Sequence, residues 1–178
     1  MEIERKWLVA GWPEGAVPSH IYRMDQGYIA LSPTVRIRRE AEGGAVRHVL
    51  CFKGKADAAG LAREEIETEI APDLFSRLEG LIGLPLIRKE QRRYPLEGGL
   101  VLEVNQVDQG EPGSFFYAEV EFPTREAALA WEPGKWAGYL SREVTGQPGQ
   151  SMAAYWLATR RRAVRAGKIR AESRYSGC

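Results

Sequence analysis

The chain has 178 residues, 25 Lys and Arg against 24 Asp and Glu, a formal net charge of +1, and 44% hydrophobic residues. That suits one well-buried globular domain and argues against a disordered chain or a generic nucleic-acid binder. With no apolar run near the roughly 18 residues of a membrane span, and only Cys51, Cys178, His20 and His48 as thiols and imidazoles, a soluble cytoplasmic protein without a disulfide framework or zinc site is expected.

Side chains on a strand alternate between two faces. In the opening segment Glu2, Glu4 and Lys6 share one face, while Ile3, Arg5, Trp7 and Val9 share the other. A turn-rich interval, Gly11 to Gly15, precedes a second strand from about Ile21 to Leu31. Thr34 to Glu40 puts Arg36, Arg38 and Glu40 opposite Val35 and Ile37, and Gly43-Gly44 marks a hairpin. Val46 to Lys55 aligns Arg47, Val49, Cys51, Lys53 and Lys55. After the loop Ala56 to Gly60, Arg63, Glu65, Glu67 and Glu69 fall on one face of Leu61 to Ile70. Leu74, Phe75, Leu78, Leu81 and Ile82 then recur at helical spacing between Pro72 and Gly83. Strands resume at Ile87 to Tyr94 (Lys89, Gln91 and Arg93 aligned), Leu100 to Val107 (Glu103 and Asn105) and Phe115 to Phe122 (Tyr117, Glu119 and Glu121). A helix capped by Thr124 runs to Trp131, and another is expected from Met152 to Ile169.

About eight strands joined mostly by hairpins, with two or three helices and no GxGxxG or P-loop, predict an α+β fold that is mainly antiparallel β. Closure into a barrel removes sheet edges. On a single strand, a charged face reads most simply as the solvated one. Taken together the faces suggest the reverse. Trp7, Phe52, Phe116 and Phe122 on the opposite faces suit packing under helices, and the charges are sorted by strand, basic at Arg36/Arg38, Lys53/Lys55 and Lys89/Arg93 and acidic at Glu2/Glu4 and Glu119/Glu121. If these faces point inward, the barrel is a charged tunnel. Its ions must be compensated by one another or by a ligand, because unpaired burial costs several kcal/mol per ion. Rows of cations match a polyphosphate, and oxygen-only acidic groups match Mg²⁺ or Mn²⁺.

Glu2-x-Glu4-x-Lys6 resembles the ExExK signature of the CYTH superfamily, the triphosphate tunnel metalloenzymes. Gln26-Gly27-Tyr28, Val35-Arg36-Ile37-Arg38, Phe52-Lys53-Gly54, Arg63-x-Glu65-x-Glu67, Ala118-Glu119-Val120-Glu121 and Glu143-Val144-Thr145-Gly146 resemble its further motifs in order, from Met1 to about residue 147. The resemblance implies an eight-stranded tunnel over residues 1–148, with residues 149–178 as a basic helical extension of the same domain. It implies a bacterial-type inorganic triphosphatase using Mg²⁺ or Mn²⁺. By the same resemblance the metal would be held by Glu2, Glu4, Glu119 and Glu121, with Glu103 also a candidate. Phosphates would be held by Lys6, Arg36, Arg38, Lys53 and Lys89 or Arg93, with Lys55 and Arg63 as further candidates. Glu2, Glu4 and Lys6 would carry the chemistry. The implied partner is a small triphosphate rather than a nucleic acid or membrane, and a homodimer is compatible with it. Adenylate cyclisation of the class IV type, thiamine triphosphate hydrolysis on a platform of Trp7, Trp12, Trp131 or Trp136, and a catalytically weakened binding module are the alternatives.

Departures from the family pattern bear on the last of these. Asn105 stands where many relatives have Asp, which would weaken metal binding or shift that role to Glu103. Lys89-Glu90-Gln91-Arg92-Arg93-Tyr94 can be aligned to the family's KxRY on either Lys89 or Arg93. The tail carries Arg160, Arg161, Arg162, Arg165, Lys168 and Arg170. These are read as the solvated face of a helix whose Tyr155, Leu157 and Val164 pack on the barrel, with an anionic partner as the alternative. Cys51 is read as a small filler rather than a nucleophile.

Overall fold

The computed structural model describes residues 1–165, with side chains as far as Arg160. The strands are β1 (Glu2–Val9), β2 (His20–Leu31), β3 (Thr34–Glu42), β4 (Ala45–Lys53), β5 (Ala62–Arg63), β6 (Glu65–Glu69), β7 (Ile87–Pro95), β8 (Val101–Val107), β9 (Phe115–Glu121) and β10 (Arg142–Glu143). The helices are α1 (Pro72–Ile82), α2 (Arg125–Ala130) and α3 (Met152–Arg165). Antiparallel pairing runs β10-β1-β9-β8-β7-β2-β3-β4-β6, and β5 pairs with β1.

Ten segments replace the expected eight for two local reasons. The strand expected over Leu61 to Ile70 changes partner at Glu64: Ala62 and Arg63 pair with β1, whereas Glu65 to Glu69 pair with β4. That switch bends the sheet almost closed. The two-residue β10 adds a short edge beside β1.

The apolar faces lie outside the barrel. Trp7, Leu102, Val104, Ala118, Val120 and Phe122 pack with Ala128 of α2 and with Trp131, Trp136 and Leu140. A second cluster sets Tyr28, Ile87, Val107 and Tyr117 against Met152 and Trp156 of α3. At about 1.5–3 kcal/mol for each fully buried large side chain, the first cluster outside the barrel and the second, which borders the cavity through Tyr28, Tyr117 and Met152, together permit a polar interior. Helix α1 starts with Pro72 at its first turn and ends where Gly83, at φ 61°, returns its N–H to Glu79 O. Its Phe75 meets His48, 4.8 Å between ring centroids. Phe52 and its cross-strand neighbour Ile66 lie beyond that contact and stay exposed, contrary to the expectation for Phe52.

Tyr155 of α3 packs on the barrel as expected, but Leu157 is 45% exposed and Trp156 is the buried residue beside it. Arg160, expected on a solvated face, anchors the helix instead. Its guanidinium donates to both oxygens of Asp108 and to the carbonyls of Pro85 and Leu86, and Tyr155 Oη donates to Asp108 Oδ2 at 2.8 Å. The side chains of Arg161, Arg162, Val164 and Arg165, and all of Lys168, Ile169 and Arg170, lie outside the described residues. No helix among the described residues is long and apolar enough to cross a membrane.

The loop from Ala56 to Gly60 meets the segment after β10 backbone to backbone. A Cβ on Gly60 would stand 2.2 Å from Gly146 Cα, and both glycines have positive φ (68° and 67°). Gly60→Ala should therefore destabilise the fold by at least about 2 kcal/mol. Gly43→Ala, at φ 53° but with open space around its Cβ, should cost only about 1 kcal/mol. Urea unfolding of the two variants measures the difference.

Candidate active site: a charged tunnel

Eight strands send charged side chains into one cavity of about 710 Å³. β1 contributes Glu2, Glu4 and Lys6, and β9 contributes Glu119 and Glu121. Glu103 comes from β8, and Lys89 and Arg93 from β7. Arg36, Arg38 and Glu40 come from β3, Arg47 and Lys53 from β4, and Arg63, Glu65 and Glu67 from the broken strand β5/β6. Strand parity dictates this, because each set occupies alternate positions of its strand. Of the site residues read from the sequence, only Lys55 does not line the cavity. β4 ends at Lys53, and Lys55 is exposed in the following loop. Glu40, Arg47, Glu65 and Glu67 were on the aligned faces but had been given no role. Tyr117 and Tyr28 also face the cavity.

The ions compensate one another. Lys53 Nζ reaches both oxygens of Glu2 (2.8 and 2.9 Å) and Glu65 (3.0 Å). Arg63 bridges Glu2 (2.7 Å) and Glu4 (2.6 Å), and Lys6 pairs with Glu119 (3.0 Å). Arg93 pairs with Glu103 (2.9 Å), while Arg36 and Arg38 share Glu67. Lys89 has no carboxylate within ion-pair distance among the described residues. Its Nζ donates to Tyr117 Oη at 3.2 Å, and Lys6 Nζ sits 3.8 Å from the centre of the same ring.

These environments pull neighbouring groups apart. Burial, the negative charges of Glu119 and Glu2, and too little relief from Arg63 and Lys53 raise Glu4 to about 7. Burial would raise Glu2 as well, but Lys53, the hydrogen bond with Glu65, and Arg63 outweigh it and hold that carboxyl well below the usual range. Burial, then Glu2, Glu103 and Glu65, raise Glu121. Burial and the nearby Arg38 lower Lys89 to about 7.

The acidic wall fits a hard divalent cation. Glu4 lies directly across from Glu121, and Glu103 across from Glu119, and like charges directly opposite are destabilising. Glu121 has no cation at ion-pair distance among the described residues, so this wall is not fully compensated, although its carboxylate oxygens do not gather into a three-ligand group as they stand. A tighter group, Cys51, Glu65 and Glu67, has ligand atoms within 4.8 Å of one another. Its members are engaged: Cys51 Sγ donates to Glu65 (2.9 Å), and the two carboxylates hold Lys53, Arg36 and Arg38. Burial pushes the Cys51 thiol up to about 12, consistent with a filler.

Asn105 is fully buried and does not line the cavity. It accepts a hydrogen bond from Gln91 Nε2 (3.1 Å), and the same nitrogen donates to Glu103 (2.9 Å). The two amides are cross-strand partners and form a neutral unit in the wall. Lys89 and Arg93 both face the tunnel on either side of Gln91. None of Trp7, Trp12, Trp131 and Trp136 lines it.

No family model matches the chain. It is 31% identical over 137 residues to the inorganic triphosphatase of Nitrosomonas europaea, an alignment covering 77% of this chain and 86% of that protein. The chain belongs to the triphosphate tunnel metalloenzyme family. Solved structures share the fold of this family member. The PH1819 protein of Pyrococcus horikoshii OT3 superposes with a TM-score of 0.63 at 18% identity, covering 89% of this chain and 99% of that one. The inorganic triphosphatase NE1496 gives 0.56 at 24% identity, covering 87% and 93%.

Lys89 gives a pH signature. Its folded value of about 7 lies below the ordinary 10.5, so between those limits the unfolded chain binds more protons and stability rises with pH. The cost of burying Lys89 is full below pH 7 and fades towards pH 10.5. Relative to the wild type, Lys89→Met should be most stabilising at pH 7 and progressively less so by pH 9.5. Urea unfolding in EDTA at both values measures this.

Proposed function

We propose that this protein hydrolyses inorganic triphosphate to pyrophosphate and phosphate, with a divalent cation, Mg²⁺ or Mn²⁺, as its cofactor. The observation that carries the reading is the tunnel itself, a cavity open to solvent in which basic side chains from β1, β3, β4, β5 and β7 face carboxylates from β1, β6, β8 and β9. A linear polyanion can replace the carboxylates as partner of the cations. The carboxylates it frees then need positive charge of their own, and a divalent cation supplies it.

Lys6, Arg36, Arg38, Lys53, Arg63, Lys89 and Arg93 would hold the phosphate oxygens in line and stabilise charge developing on the leaving group. Lys89 would gain a proton as the anion enters, since a nearby negative charge favours its ammonium form. Glu2 or Glu4, through a carboxylate oxygen not given to the cation, would orient the attacking water or take its proton. Glu2, Glu4, Glu119 and Glu121, with Glu103 beside them, would hold the cation. Bound there, it would neutralise phosphate charge and lower the cost of bringing a nucleophile to an anion.

An unsubstituted triphosphate is favoured over an organic one. The aromatic side chains among the described lining residues are Tyr28 and Tyr117, 7% and 1% exposed. Neither offers an open face on which a nucleobase or a thiazole ring could stack.

Phosphate release from tripolyphosphate with Mg²⁺ or Mn²⁺ tests the reading, and absence of turnover with either metal across pH 7 to 10 would refute it. Arg36→Ala and Arg38→Ala should each lower kcat/KM by roughly 10- to 150-fold, the loss of charge-assisted hydrogen bonds worth about 1.5–3 kcal/mol. Arg39, on the outer face and paired with Asp25 at 2.7 Å, should tolerate alanine. Equal effects at the three positions would contradict these roles.

A further inference from the structure

Arg36 and Arg38 already hold an anion, and it belongs to the protein. Oε1 of Glu67 accepts from Arg36 Nη2 at 3.2 Å and from Arg38 Nη2 at 3.1 Å. One oxygen between two guanidinium groups is an arrangement that a phosphate oxygen can equally adopt. The carboxylate leaves part of the site unmet. The Nε atoms of Arg36 and Arg38 are both buried and make no hydrogen bond among the described residues. Glu40 Oε1 lies 2.5 Å from Arg38 Nε but out of line with its N–H. A guanidinium presents five donors in a rigid fork, and a flat carboxylate touching each fork at one nitrogen cannot serve them all. A tetrahedral anion, with oxygens in several directions, can.

Glu67 is also held less tightly than Glu65. Glu65, its neighbour on the same face, is held by Cys51, Lys53 and Arg36, and its side chain is 14% exposed. Among the described residues Glu67 forms ion pairs only with the two arginines, and its side chain is 30% exposed. It lies on β6, which hydrogen-bonds to β4 on one side only. A rotation of its side chain would carry the carboxylate towards solvent without breaking another contact.

We propose that Glu67 is a resident stand-in for a phosphate group, a carboxylate that neutralises Arg36 and Arg38 in the empty tunnel and that the incoming triphosphate must displace. The proposal rests on the triphosphatase reading and adds a residue that sets affinity by acting through the two arginines. Displacement subtracts the Glu67–arginine interaction from the binding free energy, so the empty protein is held together at the expense of substrate affinity. Removing the charge of Glu67 should move the two quantities in opposite directions, which a merely structural residue would not do.

The test is calorimetric titration of the full chain with tripolyphosphate in EDTA, so that no turnover intervenes, alongside thermal unfolding without ligand. Glu67→Gln should lower Kd by about tenfold, one decade for 1.4 kcal/mol, while lowering the Tm of the ligand-free protein. Glu69→Gln is the control. It removes the same charge from the same strand, but Glu69 is 66% exposed and touches only Arg47, so Kd should change by less than about twofold. An unchanged or weaker Kd for Glu67→Gln, or equal tightening in both variants, would overturn the proposal. If Glu67→Gln does not fold, Glu67→Asp serves, since the shorter side chain keeps its charge but withdraws the shared oxygen from the two arginines. Its Kd should also fall, and an unchanged value overturns the proposal. Wild-type turnover with metal is scored separately, so an unaltered Kd alongside active hydrolysis removes this inference alone. Tightening without hydrolysis removes only the triphosphatase reading.

Discussion

Charge compensation inside a nearly closed barrel is the constraint on which the rest of the structure depends. Moving an ion from water into a poorly polar interior costs several kcal/mol even after relaxation, and mutual attraction offsets this only with good geometry and added hydrogen bonds. The tunnel meets that condition by interleaving its ions. Lys53 lies between Glu2 and Glu65, and Arg63 between Glu2 and Glu4. These contacts fall at the seam. There the barrel is closed by two residue pairs between β1 and β5, plus the bond from Glu4 N to Leu61 O. Where the backbone ladder is shortest, ion pairs hold the strands together.

The outside of the molecule makes the polar interior affordable. Trp7, Phe122 and Trp131 pack edge to face under α2, and Trp156 covers Tyr28. Helix α3 is tied down by Asp108, whose buried carboxylate accepts from Arg160, Tyr155 and the backbone N–H of Arg88. The segment after β10 then steadies the first strand: Thr145 Oγ1 accepts from Lys6 N at 3.0 Å, and Val144 N donates to Lys6 O at 2.8 Å. Met152 and Ala153, at the start of α3, border the cavity. Anchor, segment and site form one connected structure.

Much of this was legible in the order of residues. Alternation put Glu2, Glu4 and Lys6 on one face and Trp7 on the other, and the same rule aligned Arg36 with Arg38 and Glu119 with Glu121. It had also aligned Glu40, Glu65, Glu67 and Tyr117 with them, so the signal for these lining residues was present, although the motifs assigned them nothing. Lys55 shows where parity fails. It shares the phase of Lys53, but the strand ends at Lys53, and phase has meaning only while the ladder continues. Arg160 was misjudged for another reason: helical spacing gives a face, and the carboxylate waiting for that face is Asp108, 52 residues earlier.

What the sequence determined by itself is the alternation, and with it the separation of charged from apolar faces, the helix between Pro72 and Gly83, and the set of ions able to meet. Local sterics and a two-residue period suffice for that. Which ion paired with which, and that Asn105 joined Gln91 in the wall, were decided only by the tertiary structure. Those outcomes depend on closure at Glu64 and on helices covering the apolar side. Both bring together residues far apart in the chain, and no local preference encodes the distance between them.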